Sequence, residues 1–125
     1  REELAERYRA ADVFTLSPRE EAFGNVFAEA LASGLPIVGS DVGGIPEFVH
    51  TDENGFLVPP ERPDALARAL RRLADDPALR LRMAERNRAI AESTLSWSHM
   101  TESYVEVYRA LRRIRARARA LPDLS

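Results

Sequence analysis

The sequence contains no cysteine and no lysine, and histidine occurs only at His50 and His99. The absence of cysteine excludes thiolate nucleophiles, disulfides and cysteine zinc sites, and two histidines argue against a histidine-rich metal site. No apolar run approaches the roughly 20 residues that span a bilayer, and no signal peptide is visible. A net charge of −2, from 18 basic and 20 acidic residues, argues against a general nucleic-acid binder, which needs an excess of positive charge.

The residues that are present suit one folded domain. The chain has 125 residues, of which 45% are hydrophobic, enough for a sizeable core. It begins Arg1-Glu2-Glu3 without an initiator methionine, and we interpret it as a piece of a longer protein. We expect a cytoplasmic location, with a peripheral position at the membrane as the open alternative.

Alternating strand and helix signals predict the fold. Helical spacing and capping residues predict helices over 1–11, 25–33, 64–74, 76–93 and from 97 onward, and a short one over 45–50. Tyr8 is one of several residues at helical spacing in the first, Gly34 is predicted to end the second in a left-handed conformation, and Asp76 to cap the helix over 76–93. Short β-branched and aromatic runs predict strands over 13–16, 35–40 and 55–58. This order predicts an α/β fold, namely a Rossmann-like open parallel sheet with helices on both faces. Three strands make a small sheet, which again suggests that an amino-terminal part is missing.

One segment, residues 17–47, carries most of the chemical information. Between Ala22 and Ser40 the only ionisable residue is Glu29, in a helix that is otherwise almost entirely apolar. A carboxylate desolvated without partners costs several kcal/mol. Two interpretations follow: Glu29 points to solvent or pairs with an arginine, or it faces a polar ligand.

The spacing of this segment favours the ligand. Glu29 lies four residues after Asn25 and therefore on the same helix face, with its side chain leaning toward the helix start. Gly24 permits close approach to the backbone, and the first amides of a helix bind phosphate well. Glu21 lies in the preceding loop, at the strand end where open α/β sheets bind ligands. Two carboxylates bracketing a phosphate-binding helix start suit a sugar on one side of a diphosphate and a ribose on the other.

These residues resemble a known family. Glu21 and Glu29, with seven residues between them that include Phe23-Gly24, resemble the E-x7-E motif of retaining GT-B glycosyltransferases, particularly glycosyltransferase family 4. The resemblance covers the chain from Tyr8 to about Leu111. Further similar stretches are 30–38, 43–47, 54–58 and Ser96-Trp97 followed by Tyr104 and Tyr108. Two departures are Ser17-Pro18, where the family commonly has Pro-Ser, and Ala22, where it commonly has glycine.

The resemblance implies a role for each site residue. Glu21 would be the catalytic residue, contacting hydroxyls of the transferred sugar, and Glu29 would hold the ribose of the nucleotide. The remaining donor-binding residues would surround the diphosphate, chiefly through backbone amides: Phe23, Gly24, Asn25 and Val26. No cofactor and no metal is expected, because the helix dipole and basic side chains neutralise the leaving diphosphate in this family.

The resemblance also implies the domain organisation and the partners. Residues 1–108 would form part of the carboxyl-terminal, nucleotide-sugar-binding GT-B domain, and 109–125 an arginine-rich helical tail. The partners would be a nucleotide-sugar donor and an amino-terminal acceptor domain that this sequence lacks. A basic pair that the family carries on earlier strands is also missing, so we expect no useful transferase activity from this chain alone.

Other interpretations stay open at this point. A non-catalytic nucleotide-sugar-binding module is the main alternative to the transferase, and a GT-B-like epimerase or phosphorylase is a weaker one. Residues 39–44 are interpreted as a strand-to-helix turn lining the cleft rather than a phosphate loop. His50 and His99 are interpreted as structural. The arginine-dense tail is interpreted as a solvated terminus, with binding to anionic lipid as the alternative.

Overall fold

The structure is a computed structural model that describes residues 2–20 and 24–119, with side chains to residue 113 except those of 97, 99 and 100. Five α-helices lie in this part of the chain: α1 (Glu2–Ala10), α2 (Asn25–Ala32), α3 (Pro63–Asp75), α4 (Pro77–Thr94) and α5 (Trp97–Arg119). Three strands alternate with them: β1 (Phe14–Leu16), β2 (Ile37–Ser40) and β3 (Gly55–Val58). A single 3₁₀ turn, Ile45–Glu47, stands where a longer helix was predicted.

The strands form one parallel sheet in the order β1-β2-β3. Val38 lies opposite Thr15 on one side and Phe56 on the other, so β2 is the central strand. All four residues of β2 are buried, as expected for a central parallel strand covered on both faces. The predicted open α/β sheet is confirmed.

Helix α2 covers one face of this sheet. Its buried residues, Phe27, Ala30 and Leu31, lie at helical spacing toward the sheet. The rings of Phe27 and of Phe14 from β1 form a T-shaped pair, with ring centroids 5.5 Å apart. The other face is covered by α3 and α4 through one apolar cluster: Val38, Phe56, Val58, Ala69, Leu73, Leu79 and Met83.

The end of α2 is fixed by a glycine. Gly34 follows the C-cap residue Ser33 and has φ +71°, a conformation that side chains disfavour. A Cβ at Gly34 would also lie 2.8 Å from Nε of Arg88 on α4. The predicted role of Gly34 as the left-handed residue that ends this helix is confirmed.

Residue contacts divide the chain into two compact units, Arg1–Glu92 and Ser93–Ser125. The first contains the sheet. The second contains α5, several of whose apolar side chains are exposed: Tyr104, Val105, Val107, Tyr108 and Leu111. The predicted boundary between residues 108 and 109 stays a prediction. No helix in the described ranges is both long enough and apolar enough to cross a membrane.

Candidate functional site

The carboxyl ends of the three strands meet at one edge of the sheet. Leu16, Ser40 and Val58 end the strands there, and parallel α/β sheets bind ligands at this edge. Ser40 is fully buried, and its hydroxyl has no hydrogen-bond partner among residues 2–20 and 24–119. Helix α2 begins in the loop that leaves β1 at this edge. The fold therefore places the start of α2 where a ligand is expected.

The start of α2 has the backbone geometry of a helix N-terminus without a side-chain cap. Gly24 is the N-cap residue in an extended conformation, with φ −90° and ψ 101°, and its carbonyl accepts a hydrogen bond from the Phe27 amide at 2.9 Å. No described side chain caps this end, and the first turn carries no acidic residue. Asn25 and Val26 are exposed beside it. The amide-lined, positive end of the helix dipole can therefore attract an anion.

Glu29 lies one turn into α2 and is exposed, as is Asn25 on the same face. The cost of a desolvated carboxylate therefore does not apply, and this exposure is compatible both with a side chain that points to solvent and with one that faces a polar ligand. The cause of the exposure is that α2 buries only one stripe against the sheet, leaving the Glu29 face outside. Among the described residues, Glu29 forms no ion pair with an arginine; its polar neighbour is Tyr8 on α1, whose pKa the carboxylate raises.

Tyr8 and Glu29 line a groove between α1 and α2. We call it the α1–α2 groove; its volume is about 400 Å³ and its lining residues are Leu4, Ala5, Tyr8, Glu29, Ala32 and Ser33. Burial raises the pKa of Tyr8 above its ordinary value, and the hydrogen bond and negative charge of Glu29 raise it further. The phenol therefore stays protonated at neutral pH and can donate to the carboxylate.

Two of the predicted site residues, Glu21 and Phe23, lie outside the described residues. The described members of the set are Gly24, Asn25, Val26 and Glu29, and the structure brings these four together within the first two turns of α2. The pairing of Glu21 with Glu29 across the helix start stays a prediction.

Arg19, the basic residue nearest to α2 in the preceding loop, is engaged elsewhere. Its Nη2 lies 2.9 Å from Oε1 of Glu61, in the loop after β3. The two side chains line a second depression of about 320 Å³ with Ser17 and Arg62. Both partners of this ion pair are exposed, so it contributes little to stability.

Two further sequence candidates lie in the connections of the sheet, and the side chain of His99 lies outside those that the structure describes. The turn predicted over 39–44 is shorter, because Gly39 and Ser40 belong to β2 and residues 41–44 connect that strand to the 3₁₀ turn, with Gly43 at φ +54°. His50 is exposed in the turn before β3, and its amide donates to Oδ1 of Asn54 at 2.7 Å. Among the described residues, no three carboxylate or imidazole side chains are grouped to hold a metal ion. That the chemistry proceeds without a metal stays a prediction.

Tyr8 is the residue that sequence reasoning missed. It was seen only as one of several residues at helical spacing in α1. Its signal is a tyrosine on the sheet-facing side of that helix, where a hydroxyl needs a polar partner. The partner, Glu29, is 21 residues away in sequence, and only the packing of α1 beside α2 brings the two together.

The chain is similar to known proteins in sequence and in fold. A family model described as glycosyl transferases group 1 matches residues 1–90 of the chain. The chain belongs to this family. The D-inositol 3-phosphate glycosyltransferase of Streptomyces griseus subsp. griseus is 43% identical over 120 residues, which cover 95% of this chain and 25% of that protein. The D-inositol 3-phosphate glycosyltransferase of Kineococcus radiotolerans is 41% identical, over a match that covers 87% of this chain and 27% of that protein. This group 1 glycosyltransferase chain thus spans about a quarter of the length of these curated relatives.

Solved structures give the same fold. Sucrose-phosphate synthase from Thermosynechococcus elongatus superposes with a TM-score of 0.82 at 35% identity, covering 90% of this chain and 28% of that one. Anabaena Alr3699/HepE, solved in complex with UDP, superposes with a TM-score of 0.82 at 26% identity, covering 88% and 30%. The same Anabaena protein has also been solved with UDP-glucose. The group 1 chain therefore has a GT-B-like α/β architecture.

Proposed function

We propose that this chain supplies the donor-binding half of a retaining glycosyltransferase of family 4, which moves a hexose from a nucleotide diphosphate sugar to an acceptor hydroxyl. The observation that carries the proposal is an exposed carboxylate, Glu29, one turn behind an uncapped helix start at the carboxyl edge of the sheet. Membership of the group 1 family and the UDP bound by Anabaena Alr3699/HepE support it.

The helix start is the proposed diphosphate site. Backbone amides of Gly24, Asn25 and Val26 would donate to the phosphate oxygens, and the helix dipole would stabilise the charge that grows on the leaving diphosphate. Because backbone amides and the helix dipole would neutralise the diphosphate, we propose that the transfer is metal-independent. We also propose that Phe23 lies beside the donor. The protein would lower the barrier to an oxocarbenium-like transition state mainly by positioning and electrostatics.

The two carboxylates would bind hydroxyls on opposite sides of the diphosphate. Glu29 would accept hydrogen bonds from the paired hydroxyls of the ribose, for which an exposed carboxylate with several free lone pairs is suited. Glu21, in the loop before α2, would accept from the transferred sugar and act at the reacting end. We propose that the acceptor binds to a separate amino-terminal domain and that the enzyme acts in the cytoplasm.

A ligand screen identifies the donor base. We expect the full-length protein to be stabilised in thermal-shift assays and to bind in calorimetry with UDP, GDP or ADP, and with sugar nucleotides of the same base. A ligand that binds the native state at 100 times its Kd stabilises by about 2.7 kcal/mol, so a shift of several degrees is expected. Absence of binding to all three nucleotides and their sugars would refute the donor site.

Two substitutions in the full-length protein separate the roles of the carboxylates. Glu29→Gln should weaken nucleotide binding about tenfold, because a charge-assisted hydrogen bond is lost. Glu21→Ala should lower kcat far more than it weakens nucleotide binding, because its proposed contact is with the transferred sugar. Kinetics and calorimetry on both variants provide the test, and wild-type values for both would contradict the site assignment.

A further inference from the structure

The ring of Tyr8 is held by Phe14 of β1. The two rings stack with centroids 6.0 Å apart and an interplanar angle of 28°. Phe14 in turn forms a T-shaped pair with Phe27 from α2. Phe27 is 1% exposed, so this row of three rings is anchored in the core. Aromatic pairs of this geometry add to the energy of burial and restrict ring motion.

The Tyr8 ring and Glu29 face the same groove. Tyr8 is half-buried, whereas Glu29 is exposed on α2, and both line the α1–α2 groove. The Glu29 carboxylate is also close enough to raise the pKa of the Tyr8 hydroxyl. A glutamate on an exposed helix face ordinarily samples several rotamers, and fixing it costs conformational entropy. A hydrogen bond from the anchored phenol would select among those rotamers before any ligand arrives.

We propose that Tyr8 is a positioning residue for Glu29, holding one side of the carboxylate so that the other side is presented to the paired hydroxyls of a nucleoside ribose. The inference rests on the proposed function, because it assigns the ribose to Glu29. A carboxylate has two oxygens with about four lone-pair directions, so one donated hydrogen bond leaves room for two ribose hydroxyls. Tyr8 touches no ligand itself, and it acts through preorganisation.

The test is calorimetric titration of the full-length protein with UDP, GDP and ADP and with the 2′,3′-dideoxy form of each. The variants are Tyr8→Phe, Glu29→Gln and the double variant. Tyr8→Phe keeps the stacked ring and removes only the hydroxyl. We expect it to weaken binding of the tightest ribonucleotide about three- to tenfold, the value of one ordinary hydrogen bond. The same substitution should change the Kd of the dideoxy form by no more than about twofold. This nucleotide lacks the ribose hydroxyls from which Glu29 would accept hydrogen bonds.

The double variant tests whether Tyr8 acts through Glu29. Once the carboxylate is an amide, removal of the phenol hydroxyl should cost no more than about a further twofold, so the two effects should be non-additive. In kinetics, Tyr8→Phe should raise KM for the donor and leave kcat unchanged. Tyr104→Phe, on the exposed α5, is the matched control and should bind both nucleotide forms as wild type does.

The outcomes distinguish this inference from the proposed function. If Glu29→Gln weakens ribonucleotide binding and Tyr8→Phe does not, the positioning role is wrong and the ribose site stands. Equal losses of ribonucleotide and dideoxynucleotide binding in Tyr8→Phe, or additive losses in the double variant, also overturn the positioning role. If Glu29→Gln leaves ribonucleotide binding unchanged, the ribose site itself is wrong and the role of Tyr8 is refuted with it.

Discussion

At the scale of single residues, Asn87 on α4 joins three separate segments of the fold. It is fully buried, and its Nδ2 donates to the Leu35 carbonyl at 2.7 Å and to the Asn54 carbonyl at 2.9 Å. Its Oδ1 accepts from Nδ2 of the equally buried Asn54 at 2.9 Å. Asn54 also bonds to the Phe48 carbonyl and to the His50 amide. This network holds the start of β3 and the entry to β2 against α4.

Replacement of Asn87 by alanine should therefore be costly. Asn87→Ala removes three buried hydrogen bonds and leaves their partners unpaired, and we expect the free energy of unfolding to fall by about 2–4 kcal/mol. Chemical denaturation followed by circular dichroism measures it. Glu85→Ala, at an exposed position of the same helix, is the control and should change stability by less than about 0.5 kcal/mol. A loss for Asn87→Ala as small as that of the control would contradict the role of the network.

The site residues show what sequence can and cannot predict at this scale. The position of Glu29 on the Asn25 face of a helix follows from spacing alone, and the structure has it there. Its exposure and its contact with Tyr8 do not follow, because both depend on how α1 packs beside α2. Local patterns specify the face of a helix, whereas tertiary packing decides what that face meets.

At the scale of elements, α3 begins with a cluster of charges. Asp64 lies in its first turn, after Pro63, where a carboxylate favours the helix dipole. Nε and Nη2 of Arg62 donate to its two oxygens at 2.9 Å each, and Nη1 of Arg68 donates at 3.1 Å. The hydrogen bonds from Arg62, reinforced by Arg68, hold the pKa of Asp64 well below its ordinary value.

This lowered pKa makes the contribution of Asp64 depend on pH. A carboxyl group whose pKa is lower in the folded state stabilises that state fully at pH values above its unfolded-state pKa of about 3.9. This stabilisation is lost as the pH falls toward the pKa of the folded state. Asp64→Asn should therefore lower the melting temperature at pH 7, and its difference from wild type should narrow below about pH 4. Thermal melts between pH 7 and pH 2 measure it. For Arg62→Gln, the difference in melting temperature from wild type should also become smaller below about pH 4. A melting-temperature difference that does not change with pH would contradict the stabilising role of the ionised Asp64.

Most elements were predictable because each has a local signal. Gly34 ends α2, and Asp76 caps α4 by accepting the Leu79 amide at 2.9 Å, both as the sequence indicated. The exception is the helix predicted over 45–50, which shortens to Ile45–Glu47. The side chain of Asn54 binds the backbone of Phe48 and His50 there. The hydrogen bond from the Asn54 side chain to the Phe48 carbonyl, six residues earlier, competes with a longer helix over 45–50. No local sequence pattern reveals this bond.

At the scale of the whole molecule, the sheet and its ligand edge are present, but the chain spans about a quarter of the curated relatives. The fold class followed from the alternation of strands and helices, which is a property of the entire sequence. The extent of the proposed donor site did not follow, because the chain covers only 25% and 27% of the two curated relatives. Arg19, the nearby basic side chain after β1, pairs with Glu61.

Transfer should therefore require more than these 125 residues. Holding an acceptor hydroxyl against the donor is worth several kcal/mol of barrier, and in the proposed function that site lies on a separate amino-terminal domain. We expect the isolated chain to transfer labelled hexose from a sugar nucleotide at least about a hundredfold more slowly than a protein that joins it to the proposed amino-terminal acceptor domain. Nucleotide binding by the isolated chain, measured in parallel, shows whether it is folded. Transfer at a comparable rate by a folded isolated chain would show that the acceptor site lies within it and would overturn the two-domain proposal.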